Sequence, residues 1–222
     1  MIRIKNVTKS YDENKNNTTY ALKNISLSVS KGECVVLKGV SGSGKSTLLS
    51  IIGAILKPTS GAVEINGTNI VTLSDYHLSN YRANSIGFIT QAFNLFDLLT
   101  VEQNLLSALL TQKISETKMN KRISSALKLA NISHKATQKV YTLSGGEKQR
   151  CIIARAIVNE PDIVLCDEPT ANLDKKNALI FVQIIKKLKE LNKTIIIATH
   201  DRIFDELDFV DKSFNISDGK IE

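Results

Sequence analysis

Tryptophan is absent from the 222-residue chain, and aromatic residues make up only 5% of it. Stacking platforms for nucleic-acid bases are therefore scarce. Cysteine occurs three times, as Cys34, Cys151 and Cys166. The odd number and wide spacing exclude a disulfide framework and argue against a metal clip. All three read as small buried hydrophobes in a reducing compartment. Long apolar runs are lacking too: the longest, Leu48–Leu56, is nine residues, where a membrane span needs about 20. The first residues alternate like a strand and lack the apolar segment of a signal peptide, so a cytoplasmic protein is expected. Basic residues outnumber acidic ones by 29 to 22, a net charge of +7, yet no five of them stand in a row. Such scattered charge predicts no specific nucleic-acid partner. Repeats and low-complexity segments are missing as well. What remains, 42% hydrophobic and 23% charged, is the make-up of a globular chain, sized for one domain at roughly 100–200 residues each.

Patterning along the chain indicates an α/β protein. Ile2–Val7 and Ile25–Val29 alternate apolar and polar, as half-buried antiparallel strands do, with Asp12–Thr19 as a hairpin loop between them. The Cys34–Leu37 block reads as a buried strand. A Gly/Ser-rich turn and an apolar helix follow, from about Lys45 to Leu56, stopped by Lys57-Pro58-Thr59-Ser60-Gly61. Ala62–Ile65 and Ile86–Ile89 read as strands. From Gln91 to Asn159 strand signals vanish, and Val101–Leu110 and Lys118–Ala130 show helical spacing. Ile163–Cys166 and Thr194–Ala198 are continuous apolar runs, the mark of parallel strands covered on both faces. Between them Ala178, Val182, Ile185 and Leu188 share a helix face, and Asp174 is placed to cap that helix. Phe209–Ile216 reads as a further strand, followed by a turn and a short last one.

Three stretches carry chemistry. Gly39-Val40-Ser41-Gly42-Ser43-Gly44-Lys45-Ser46-Thr47 fits G-x-x-x-x-G-K-[ST] between a strand and a helix. Its glycines let backbone N–H groups turn toward phosphate oxygens. Lys45 is a point charge for the β- and γ-phosphates, and Ser46 a hard oxygen ligand for Mg²⁺. Chance produces the pattern in roughly one chain of this size in a hundred, and the strand–turn–helix context makes chance remote. Ile163–Glu168 sets four apolar residues before two carboxylates, which delivers acids to the C-terminal end of a strand. Asp167 is the expected Mg²⁺ partner, and Glu168 the group that polarises the attacking water. Leu143-Ser144-Gly145-Gly146-Glu147-Lys148-Gln149-Arg150 is a Ser-Gly-Gly turn opening a helix. Its exposed N–H groups form a second anion site, which points to a nucleotide shared by two surfaces.

With these motifs the sequence resembles the ATP-binding cassette (ABC) ATPases over essentially all its residues. Residues 39–47 match the Walker A motif, 163–168 Walker B, and Leu143–Glu147 the signature. Gln91 resembles the Q-loop glutamine, Asp174 in Asn172-Leu173-Asp174 the D-loop aspartate, and His200 the switch histidine. Tyr11 matches the aromatic residue that stacks on adenine, with Tyr20 as its rival. The Phe93-Asn94-Leu95 and Asp167–Asp174 stretches are most similar to the MacB/LolD/FtsE-like cassettes. Val40, Thr90 and Cys151 depart from the usual pattern without removing a group the chemistry needs.

The resemblance implies a P-loop NTPase with a RecA-like core, an N-terminal antiparallel β-subdomain and an inserted α-helical subdomain. Residues 1–90 and 160–222 would form the first two, and 91–159 the helical part. It implies ATP and Mg²⁺ as ligands, the metal at Ser46, Gln91 and Asp167. Glu168, His200 and Gln91 would be catalytic. The signature, Leu143–Glu147, would act in trans across an ATP-sandwich homodimer, and Asp174 would link the two sites. The expected role is the ATPase subunit of a membrane transporter, working for export, extraction or mechanotransmission through a separate permease. The protein would then lie on the cytoplasmic face of the membrane. A divisome-type signalling ATPase and a soluble non-transport ABC ATPase are the alternatives. Phe93–Leu99 either faces the permease or packs within the helical part.

Overall fold

The computed structural model describes residues 2–14 and 17–222. Among these, the chain forms two sheets with helices around them. Strands β1 (Ile2–Asn14) and β2 (Asn17–Val29) make a long antiparallel ribbon, extended by β4 (Ser60–Ile65) and β5 (Thr68–Asn69) in the order β2-β1-β4-β5. The predicted Asp12–Thr19 loop is thus corrected. Tyr11 pairs with Thr19, Asp12 with Thr18 and Asn14 with Asn17, so the strands run on nearly to the tip. Ladder hydrogen bonds are made by the backbone, so a run of polar residues can continue a strand pair. Residues 15–16 of that loop lie outside the described residues.

The second sheet contains β3 (Cys34–Lys38), β6 (Ile86–Ile89), β7 (Ile163–Asp167), β8 (Thr194–Thr199), β9 (Lys212–Ser217) and β10 (Lys220–Ile221), in the order β10-β9-β3-β8-β7-β6. Neighbours from β9 to β6 run parallel, and only β10 is antiparallel. Side chains of the central strands alternate between two cores. Cys34, Val36, Val164, Cys166, Ile195 and Ile197 face one core, and Val35, Leu37, Ile163, Leu165, Ile196 and Ala198 the other. This explains their unbroken apolar runs: both faces are covered. Truncating a fully buried residue such as Ile197 to Ala would cost about 2–5 kcal/mol.

The first core is completed by α3 (Val101–Leu109), α4 (Glu116–Leu129), α5 (Gly145–Ile157) and α6 (Lys175–Glu190). The helices between 101 and 157 therefore share their core with one face of the central sheet. The second core joins α1 (Lys45–Ile52) to the antiparallel sheet. Helix α1 stops short of the predicted Leu56, because Gly53 caps it and Ala54 turns to φ 56°. The last long strand begins at Lys212, so residues 209–211 lie before it. One helix escapes sequence analysis: α2 (Asp75–Ser85), in which only Leu78 is buried, has no apolar stripe to betray it.

All three cysteines are fully buried and unpaired. Burial pushes the Cys34 and Cys151 thiols up to about 12, so they pack as neutral apolar groups.

Candidate nucleotide site

Because β3, β6, β7 and β8 run parallel, the residues that follow them emerge at one edge of the sheet. The turn after β3 leads into α1, Gln91 follows β6, Glu168 follows β7 and His200 follows β8. Four segments far apart in sequence are thereby brought to one place.

Lys45, only 4% exposed, is the first residue of α1. Its Nζ donates to the carbonyls of Gly39 at 2.7 Å and Val40 at 2.9 Å, so the turn wraps around its own lysine. Gly44 makes that wrap possible. It sits at φ 108°, and a Cβ there would lie 2.4 Å from the Ala21 carbonyl oxygen. Ala21 is the extra residue of a bulge in β2: Lys9 pairs with Leu22 and Ser10 with Tyr20. The bulge presses the ribbon against the turn.

Glu168 bridges two of the strand ends. Its Oε1 lies 3.6 Å from Lys45 Nζ, and its Oε2 3.0 Å from His200 Nδ1. The residue is held at φ 44°, with its N–H donating to the Ala198 carbonyl at 2.8 Å. A non-glycine residue in this region costs about 1–3 kcal/mol, and such strain clusters at functional sites. Beside it, Ser46 Oγ donates to Asp167 Oδ1 at 2.8 Å. Burial raises the Asp167 carboxyl above its ordinary value, with Glu168 adding to the shift and the Ser46 bond and Lys45 opposing it.

A cavity of about 170 Å³ opens here, lined by Ala21, Ser41, Gly42, Gly44, Lys45, Ser46, Thr47, Gln91 and Glu168. Gly39, Val40 and His200 border an adjoining hollow, and the buried Ser43 hydroxyl has no partner among the described residues. Tyr11 does not line the cavity. Its ring is 45% exposed, with Lys9 Nζ 5.0 Å from the ring centre. Tyr11 pairs with Thr19, and the adjacent pair is Ser10 with Tyr20, so the two tyrosines point to opposite faces of the ribbon.

The Ser-Gly-Gly turn forms as read from sequence. Ser144 caps α5 in a reciprocal capping box with Glu147, and Lys135 lies 3.2 Å from that carboxylate. Backbone hydrogen bonding to Ser144 holds the Glu147 carboxyl below its usual range. Asp174 caps α6 by accepting from the Asn177 N–H at 2.7 Å. None of Leu143–Glu147 lines the cavity at Lys45. Two residues that carried no role in the sequence reading tie these pieces together. Buried Gln149 donates from α5 to the Pro169 carbonyl at 3.0 Å, next to Glu168. Asn177 accepts from Arg150 at 2.8 Å and presses on Gly146, where a Cβ would fall 2.2 Å from its Oδ1. Both contacts cross between elements, so no local pattern announces them.

Residues 22–171 match the ABC transporter family. The chain belongs to that family. The cassette superposes on the dimeric, ADP- and Pi-bound structure of the ATP-binding cassette MJ0796 of Methanocaldococcus jannaschii with a TM-score of 0.90, at 40% identity over 100% of this chain and 97% of that one. It is 41% identical to the putative hemin import ATP-binding protein HrtA of Staphylococcus haemolyticus, over 100% of this chain and 99% of the relative. It is 40% identical to the macrolide export ATP-binding/permease protein MacB of Campylobacter jejuni, over 90% of this chain but only 31% of that longer one. The fold is the P-loop, RecA-like α/β architecture of ABC ATPases. The protein is an ATP-binding, ATP-hydrolysing enzyme of the ABC type.

Proposed function

We propose that this cassette is the ATPase subunit of a membrane transporter of the MacB/LolD/FtsE-like kind. Two copies would close on ATP to drive a separate permease in export, substrate extraction or mechanotransmission. The observation that carries the reading is the Lys45–Glu168–His200 chain beside the Ser46–Asp167 pair. A cation, a carboxylate and an imidazole meet where a γ-phosphate and its attacking water belong.

The roles proposed for the residues follow the family resemblance, and the contacts at Lys45, Ser46, Asp167, Glu168 and His200 support theirs. The turn 39–47 binds phosphate through its N–H groups and Lys45. ATP would replace Glu168 as the partner of Lys45, which frees the carboxylate to orient water and accept its proton. His200 Nδ1 lies 3.0 Å from Glu168 Oε2, which also accepts from the His200 backbone N–H at 3.4 Å; a protonated Nε2 would be the ring atom that donates to the phosphate. Tyr11 is the proposed adenine contact. The oxygen donors fit a Mg²⁺ ion: Ser46 Oγ and Asp167 Oδ1 adjoin, and Gln91 lines the same cavity. When bound, the ion neutralises charge on the phosphate oxygens.

A second copy supplies what the cavity lacks. Ser144 and Gly145 are exposed at the N-terminus of α5, with nothing near the Gly145 Cβ position, and the buried Gly146 follows them against Asn177. They would reach the γ-phosphate held by the partner's Walker A turn, with Asp174 linking the two sites. The permease surface would use the outward half of residues 93–99. Phe96 and Leu98 are exposed, while Phe93 and Leu95 pack on the core. No described helix is long and apolar enough to cross a membrane.

The test is affinity purification from detergent-solubilised membranes with Glu168→Gln as bait, which should hold ATP without turnover. A polytopic membrane protein enriched by ATP and Mg²⁺ is the expected result. Recovery of only soluble nucleic-acid or ribosomal proteins would overturn the transporter role and leave the ATPase.

A further inference from the structure

A second cavity, of about 450 Å³, shares no lining residue with the nucleotide site. Its size is in the range of small-molecule pockets, about 300–1,000 Å³. It lies where α4 meets the C-terminal ends of α5 and α6 and the start of β7. Its walls are mostly apolar, with Ala126 and Leu129 on one side and Ile157 and Leu188 on the other. The cavity is a groove partly open to solvent, so an apolar occupant would remove from water the apolar wall that now faces it.

Charge at its edge narrows the occupant. Arg122 and Lys193 both line the cavity, against the single carboxylate of Glu160. Arg122 Nη2 lies 2.9 Å from Glu160 Oε2, and its buried Nε has no partner among the described residues. Lys193 Nζ donates to the Glu160 backbone carbonyl at 3.1 Å, so its charge is not matched by an acid there. One positive charge is left over beside an apolar chamber. A cation so placed favours a ligand that brings its own anion, and the walls favour a hydrocarbon body.

We infer that this cavity binds a small single-chain amphiphilic anion. Its hydrocarbon lies between α4 and α6, and its acid group reaches Arg122 and Lys193. The site is independent of the nucleotide reading, since it uses none of those residues.

Decanoate is the probe, titrated calorimetrically into the nucleotide-free full chain, with decanol as its uncharged twin. Saturable one-to-one binding of decanoate is expected, with decanol about tenfold weaker or worse for want of the charged hydrogen bond. Arg122→Gln should erase most of that discrimination. Ala126→Trp should fill the chamber and abolish binding, in a protein that still binds ATP. In the unmodified protein, the methyl resonances of Leu129 and Leu188 should shift as decanoate saturates, a readout that needs no variant to fold. Absence of saturable binding, equal affinity for decanol, or unmoved Leu129 and Leu188 methyls would each overturn the proposal.

Discussion

Asn104 offers the sharpest test of how the segment before α3 is held. It is fully buried, and its side chain replaces backbone partners for a stretch with no regular structure. Oδ1 accepts from the Phe96 N–H at 2.9 Å, and Nδ2 donates to the carbonyls of Phe96 at 3.1 Å and Thr100 at 2.9 Å. In Asn104→Ala all three bonds go, but the damage is unequal. The Phe96 carbonyl keeps the Leu99 N–H, and the Thr100 carbonyl keeps the N–H of residue 104. Only the Phe96 N–H loses its partner outright. An orphaned donor costs about 1–3 kcal/mol and each of the other two lost bonds about 0.5–1.5, so a net loss of roughly 2–6 kcal/mol follows. For a chain of this size that lowers Tm by roughly 4–24 °C. Urea unfolding of the nucleotide-free protein, at unchanged m-value, measures the loss. A loss under about 1 kcal/mol, the worth of a single average hydrogen bond, would refute the reasoning. It would mean that the Phe96 N–H is not left unpaired when the Asn104 side chain is removed.

Glu168→Gln should lower kcat about 10²–10⁴-fold, the usual worth of a positioned general base, while ATP still binds. Phosphate release in single and multiple turnover measures this, and a loss under tenfold would remove Glu168 from the catalytic role. Asp167→Asn should raise Tm at neutral pH while impairing turnover. The native carboxyl titrates above its unfolded value, so the native state binds more protons through that window and stability falls as pH rises through it. The gain in Tm should therefore shrink as pH is lowered toward the ordinary aspartate range, and melting curves across pH would show a constant gain if burial were not the cause. Tyr11→Ala should weaken ATP binding and Tyr20→Ala should not, because the two rings face opposite sides of the ribbon. Titration with a fluorescent ATP analogue distinguishes them, and equal effects would dismiss the stacking assignment. Ser144→Ala removes a helix cap and should cost about 0.5–2 kcal/mol by denaturant melts.

What could be read in the sequence is what is local along the chain. The turn 39–47, the capping turn at Ser144 and the Asp174 cap each depend on residues within about six positions of one another. Turn and cap chemistry is decided at that range. The parallel strands were legible for a related reason: burial on both faces leaves an unbroken apolar run. Helix α2 was not, because one buried residue in an exposed helix makes no stripe. The reach of the β1–β2 ribbon was not either, since polar strand ends look like loop.

The site itself was decided in tertiary structure. Ser46 and Asp167 are 121 positions apart, and only the parallel order of β3, β8 and β7 brings them within a hydrogen bond. The same order sets Glu168 between Lys45 and His200. The bulge that brings Ala21 against Gly44, the side of the ribbon each tyrosine takes, and the hold of Gln149 on Pro169 all follow from register and packing. Motif chemistry is written residue by residue, whereas these contacts depend on how distant segments share one core.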